Sequence, residues 1–221
     1  MMALLLSLST TAASMVGVVL LGTPLAYAFA RYTFPFKRVL AVFIELPIVM
    51  PPVVAGLALL AAFGRRGLVG QSLAEWGLMI TFNWTAVSLA QLFVAAPFYI
   101  RAAQARFSTI PADLAQAAGI DGADEWQLFW HIIRPLSQRA LLAGLLLSWA
   151  RALGEFGATI LFAGNLPGRT QTMPLLVYGA LERDINAAFV TALLLLGLAG
   201  SALFATRWLA RLDEGEADPL A

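Results

Sequence analysis

The sequence predicts an all-α membrane protein with five transmembrane helices. Three observations carry that expectation: 60% of the 221 residues are apolar, only 12% are charged, and the charges leave long gaps between them. A soluble domain carries about 25% charged residues, so the water-facing shell of a soluble fold is missing. The same apolar excess excludes a disordered chain. A bilayer core about 30 Å thick needs ~20 apolar residues of helix. Residues 1–30 hold no charge, residues 39–64 only Glu45, residues 76–100 none, residues 140–163 only Arg151 and Glu155, and residues 185–206 none. The expected spans are therefore 5–30, 39–63, 78–100, 139–163 and 185–206, in a single domain over 1–221.

The first run has no basic leader and exceeds the ~7–15 apolar residues of a signal-peptide core. Ala28-Phe-Ala30 is accordingly read as part of a retained span and not as a cleavage site. Basic residues favour the cytoplasmic side of short loops. Arg31, Lys37, Arg38, Arg101, Arg106, Arg134, Arg139, Arg207 and Arg211 fall on one side of the five spans. Arg65, Arg66, Arg169 and Arg183 fall on the other. That bias puts the N-terminus outside and the C-terminus in the cytoplasm. The tail 207–221 is short, mostly acidic and expected to fray.

Several function classes drop out. Fourteen basic and thirteen acidic side chains give a net charge of +1, which is no nucleic-acid footprint. There is no cysteine, so disulfides, thiolate metal sites and thiol catalysis are excluded. The sole lysine, Lys37, is followed by Arg38, so the Gly-Lys-Ser/Thr of a phosphate-binding loop is absent. The sole histidine, His131, lies outside the spans, and neither Gly-x-Gly-Asp nor His-Glu-x-x-His occurs. An intramembrane protease or lipid hydrolase would need such groups at depth. A partnerless channel stays open on composition alone. No metal site or cofactor is expected in this chain. Asn83-Trp-Thr85 is read as a chance glycosylation sequon.

The segment 101–139 is long for a connection inside a compact membrane protein. Pro111 suits the first turn of a helix that would run through Ala118. Gly119 and Gly122 interrupt it, and Asp121, Asp124 and Glu125 signal a second start. Trp126, Phe129, Trp130 and Ile133 then fall at i, i+3, i+4 and i+7, one apolar stripe on an α-helix. Pro135 is expected to end the segment. The stripe has two readings: packing on this chain's own spans or the lipid interface, or docking into a groove of another protein.

Within the spans, Pro47, Pro51 and Pro52 remove backbone donors from one helix. They mark either simple bending or a deformable helix beside a gate. Arg151 and Glu155 stand at i, i+4 and can pair within one helix, as a structural ion pair or as a polar wall or pivot of a pathway. Glu45 has no partner in its own span, so it either meets Arg151 or reaches water. His131 is read as a polar flank. Gly197 and Ser201 are spaced for close helix contact.

Gln116-Ala117-Ala118-x-x-x-Gly122, nine residues, then Ile132-x-x-Pro135, resembles the EAA loop of ABC importer permeases. The family has Glu where Gln116 stands and Leu where Arg134 stands. The resemblance extends along the chain: Gly22-Thr-Pro-Leu-Ala-Tyr-Ala, Arg31-Tyr-Thr-Phe-Pro-Phe-Lys37, Leu46-Pro-Ile-Val-Met-Pro-Pro-Val-Val-Ala-Gly56, Phe63-Gly-Arg-Arg-Gly-Leu-Val-Gly70, Trp149-Ala-Arg-Ala-Leu-Gly-Glu-Phe-Gly-Ala-Thr159 and Ala163-Gly-Asn-Leu-Pro-Gly-Arg-Thr-Gln-Thr-Met-Pro174. Together these look like the permease subunit of a molybdate importer; sulfate and tungstate permeases share much of the pattern. The resemblance implies a type I (MetI-like) permease fold in the bacterial inner membrane. It implies a coupling loop over 104–135 with Gln116, Ala117, Ala118, Gly122, Trp126, Phe129, Trp130, Ile132 and Pro135. The pathway or gate candidates are Pro47, Pro51, Pro52, Arg151, Glu155 and Thr159. The implied partners are a second permease copy, membrane lipid, a cytoplasmic ATPase dimer that uses ATP and Mg, and an external oxyanion-binding protein meeting loops 64–76 and 164–184.

Overall fold

Uncharged runs interrupted by prolines and glycines give helices of very unequal length. The computed structural model describes residues 1–216, and all regular structure in them is helical. The elements are α1 (Met2–Arg31), α2 (Lys37–Val49), α3 (Pro52–Phe63), α4 (Gly70–Glu75), α5 (Trp84–Thr109), α6 (Ala112–Ile120), α7 (Glu125–Leu128), a π-helical turn (Phe129–Ile133), α8 (Arg134–Leu153), α9 (Gly157–Phe162), α10 (Met173–Leu181) and α11 (Ile185–Glu216).

Among the described residues, three helices are long and apolar enough to cross a membrane: Met2–Arg31, Trp84–Thr109 and Ile185–Ala205. The second and fourth expected spans are each split. Met50 and Pro51 both precede a proline, and both are extended, with ψ of 131° and 132°. A residue before proline is pushed out of the α region by the ring, so the ladder stops there. Pro52 then opens α3 at a position that needs no N–H. Pro47 stays inside α2 and does not break it. The fourth span stops at Leu153 and resumes as α9 after residues 154–156.

Helix α5 is central. It packs against α1, α8, α9, α2 and α3. Of the membrane-length windows, 56% of that in α5 is buried, against 33% in α1 and 6% in α11, so α11 is the peripheral one. Small residues let the backbones close in: Ala86, Ala90, Ala95 and Ala103 of α5 are fully buried. Its first half packs with Ala55, Leu59, Ala158 and Phe162. Its second half packs with Val18, Ala26, Leu128 and Ile133.

Polar side chains join these helices across their packed faces. The Ser14 hydroxyl donates to the Ser88 carbonyl at 2.8 Å, and Thr23 bonds the Tyr99 hydroxyl at 2.6 Å. The Ser148 hydroxyl donates to the Ala95 carbonyl at 3.0 Å. The start of α10 is fixed to α1 because the Met173 N–H donates to Ser7 Oγ at 2.8 Å. Helix α11 begins where the Asp184 carboxylate accepts the Asn186 and Ala187 N–H groups, and it continues through Glu216. The tail is thus helical as far as Glu216, and residues 217–221 lie outside the described residues.

Candidate functional site

Two groups of sequence-predicted residues occupy opposite ends of α8. Helix α8 has 20 residues, so the two ends lie about 30 Å apart at 1.5 Å per residue.

At the far end the two interrupted spans meet, with Pro52 against Gly157, which lies between Glu155 and Thr159 in sequence. Arg151 and Glu155 pair at 2.7 Å, as their spacing predicts. They are not on one helix, however: α8 ends at Leu153, and Glu155 sits in the gap before α9. Its side chain is 1% exposed. One oxygen takes the Arg151 guanidinium; the other accepts the Ala158 N–H at 2.8 Å. The carboxylate thus satisfies a free amide of α9 while the cation balances its charge. A buried carboxylate is tolerable only with such partners.

The two breaks touch through glycines. A Cβ on Gly157 would meet Pro52 Cβ at 2.8 Å, and one on Gly56 would meet the Ala158 carbonyl oxygen at 2.8 Å. Helices α3 and α9 therefore pack backbone against backbone. The Thr159 hydroxyl is fully buried and has no hydrogen-bond partner among the described residues. Pro51 and Pro52 are exposed at the start of α3, and Pro47 is buried.

Glu45 meets Arg101 at 3.5 Å and not Arg151. The reason is register: α2 packs along α5, which carries Arg101, while Arg151 is taken by Glu155. Both members of the Glu45–Arg101 pair are well exposed, so it contributes no more than about 1 kcal/mol.

At the near end stands the connecting segment. Helix α6 begins after Pro111 and runs to Ile120, two residues beyond the expected stop, because Gly119 still takes helical geometry. Gly122 has φ of +84° and makes the turn. The second helix starts at Asp124 and not at Asp121. Asp124 accepts the Gln127 N–H at 2.7 Å, and the Gln127 side chain accepts the Asp124 N–H at 3.0 Å. This reciprocal capping box satisfies two free amides.

Pro135 does not end the segment. The helical backbone is unbroken from Glu125 to Leu153, with the π-helical turn placed just before the proline. A π turn widens the ladder and relieves the position where proline lacks its N–H. It also breaks the expected stripe. Ile133 is fully buried, whereas Trp126 is 69% exposed and Trp130 39% exposed, because the wider turn rotates the residues on either side of it. Trp126 and Trp130 stack on one another at 5.4 Å, and Arg134 lies 5.0 Å from the Trp130 ring. Phe129 and Ile132 are partly buried against the core. Gln116 and Ala117 are exposed, Ala118 is buried, and Gly122, His131 and Pro135 are exposed.

The packing reading describes one side of the segment. Its inner side packs on this chain's helices. Gln116, Ala117 and Ile120 are open, and Trp126 and Trp130 are open along a groove that faces α1. Between the segment's end and α1, this groove of about 850 Å³ is lined by Leu20, Thr23, Tyr99, Gln138 and Leu142. Sequence reasoning missed the contacts of Glu45 with Arg101 and of Tyr27 and Tyr32 with Glu125, and the capping role of Asn83. Asn83 caps α5, accepting the Ala86 N–H at 3.0 Å. An asparagine before an apolar run signals such a cap. No group of three or more His, Asp or Glu side chains that could hold a metal ion occurs among the described residues. Gly197 faces open space in α11.

The profile of the family described as "Binding-protein-dependent transport system inner membrane component" matches residues 19–213. The chain belongs to that family. A molybdenum transport system permease protein, ModB, of Mycobacterium tuberculosis is 44% identical over 89% of this chain and 75% of its own length. A sulfate transport system permease protein, CysW, of Synechococcus elongatus is 40% identical over 80% of this chain and 62% of its own. The fold resembles an inward-facing structure of the MetNI methionine ABC transporter, with a TM-score of 0.71 at 16% identity, covering 95% of this chain and 94% of that one. This membrane component thus shares its helical architecture with the permeases of ABC importers.

Proposed function

We propose that this chain is the membrane-spanning subunit of an ATP-driven molybdate importer, and that it forms the pathway and couples it to a separate ATPase. One observation carries the coupling: the open-faced connecting segment is continuous in backbone with α8, whose other end reaches the junction of the split spans. A push on the segment is delivered to that junction by a rigid rod. The α2–α3 and α8–α9 pairs each count as one broken crossing, which gives five crossings, an external N-terminus and a cytoplasmic C-terminus. Broken helices at depth suit a protein-lined or watery site, so Pro47, Pro51, Pro52, Arg151, Glu155 and Thr159 are the gate residues.

The partners are those of an importer. A second copy completes the pathway. An ATPase dimer, using ATP and Mg, grips residues 104–135 with Gln116, Ala117, Ala118, Gly122, Trp126, Phe129, Trp130, Ile132 and Pro135 as the gripped loop. A binding protein delivers the oxyanion to 64–76 and 164–184. ATP binding shifts the two-state equilibrium of the pathway through the segment. The likeness to a sulfate permease keeps sulfate as the second reading for the cargo; tungstate belongs to the same oxyanion class.

The test is uptake by inside-defined vesicles holding this chain, its ATPase and its binding protein. Gly122→Val forces a β-branched residue into left-handed backbone. It and the deletion of 121–133 are expected to abolish both ATPase association and ATP-driven molybdate uptake. Persistence of both activities would overturn the assignment, and sulfate outcompeting molybdate would reassign the cargo.

A further inference from the structure

We infer that the end of α1 is tied to the connecting segment and travels with it as one body, so that the first span is a second arm of the lever. This rests on the coupling role proposed above and adds three positioning residues to it: Tyr27, Tyr32 and Glu125.

The tie is a single carboxylate oxygen with two phenols on it. The Tyr27 hydroxyl donates to Glu125 Oε2 at 3.2 Å, and the Tyr32 hydroxyl donates to the same atom at 3.1 Å. The donors stand 98 and 93 residues away in sequence, on α1 and just beyond it. Glu125 is the first residue of α7 and lies inside the capping box, so its backbone position is fixed by Asp124 and Gln127 on either side. Burial raises the Tyr32 pKa above the ordinary 10, and the hydrogen bond to Glu125 raises it further, so the phenol keeps its proton.

Both bonds are longer than the roughly 2.5–3.0 Å usual for O–H···O, and aromatic packing reinforces them. The Tyr27 ring meets Tyr32 at 6.0 Å, Phe107 of α5 at 5.8 Å and Phe129 of the π turn at 5.3 Å, each edge to face. Phe107 meets Phe129 at 6.3 Å. Independent rocking of the segment would have to break both hydrogen bonds and part Phe129 from Tyr27. Motion together breaks neither. The segment therefore acts on the membrane through two routes: the backbone into α8, and the Tyr–Glu tie into α1.

The test uses the full importer. Tyr27→Phe with Tyr32→Phe removes only the hydroxyls and keeps the rings. The expected result is normal membrane insertion, normal ATPase association and continued hydrolysis, with molybdate carried per ATP reduced several-fold. A purely structural role would lower insertion and hydrolysis together and leave that ratio unchanged. The chain has no cysteine, so Tyr32→Cys with Glu125→Cys is a unique pair for a short bismaleimide. Before cross-linking, transport per ATP should fall as in the phenylalanine variant. After cross-linking it should recover. Unchanged transport per ATP in the phenylalanine variant, or a cross-link that stops uptake, overturns the tie while the ATPase stays bound. Loss of the coupling role itself is a separate result: the unaltered chain would then fail to retain the ATPase.

Discussion

The two ends of α8 are built on opposite principles. At the junction, charge is inside: Glu155 is 1% exposed and held by Arg151 and the Ala158 amide, and two glycines bring α3 and α9 into backbone contact. At the connecting segment, apolar surface is outside: Trp126 is 69% exposed and Ile120 87% exposed. Local devices there fix the shape, namely a proline start, a left-handed glycine and a capping box. The junction gets its shape from its neighbours, whereas the segment brings its own and leaves one side free.

That contrast is open to direct attack. Arg151→Met strands the Glu155 carboxylate in the interior; a broken buried pair costs about 3–5 kcal/mol. The detergent-solubilised protein should lose its cooperative melting transition or melt far lower, whereas Glu155→Gln, which keeps an acceptor for the Ala158 amide, should cost clearly less. Equal losses in the two variants would remove the charge argument. Gly157→Val drives a side chain into Pro52 and the Val53 amide, and overpacking of this kind costs about 1–3 kcal/mol. The same thermal measurement should show it.

In the segment, Asp124→Ala removes one half of the capping box, worth about 1 kcal/mol. Amide exchange at Gln127 and Leu128, both bonded to Asp124, should speed up about fivefold with little change in the melting temperature. A global loss of stability would show that the segment is held by tertiary packing after all. The smallest effect belongs to Glu45→Gln. Its pair with Arg101 is exposed, so the midpoint should shift by no more than about 2–4 °C and less at high salt.

Much of the segment was legible in the residues. Pro111, Gly122 and the Asp124–Glu125 start are local signals with local consequences, and they fell within a few positions of the observed elements. The one-helix stripe failed because the π turn inserts extra backbone between Trp126 and Ile133, and periodicity arguments assume a constant turn. Charge spacing correctly paired Arg151 with Glu155 yet placed them on one helix, since nothing in a four-residue spacing announces a break between its members. The sequence leaves Glu45 either to Arg151 or to water; it is well exposed and meets Arg101, a partner that depends on how α2 lies along α5.

Sequence alone determined the membrane class, the three uninterrupted apolar helices and the start, turn and cap of the connecting segment, because hydropathy, proline and capping act over a few residues, while motif resemblance pointed to the family. Tertiary structure decided which breaks meet, which carboxylate is buried, and that Tyr27 and Tyr32 reach Glu125. Those outcomes depend on helices far apart in the chain coming within a few ångströms, and no local pattern encodes that distance.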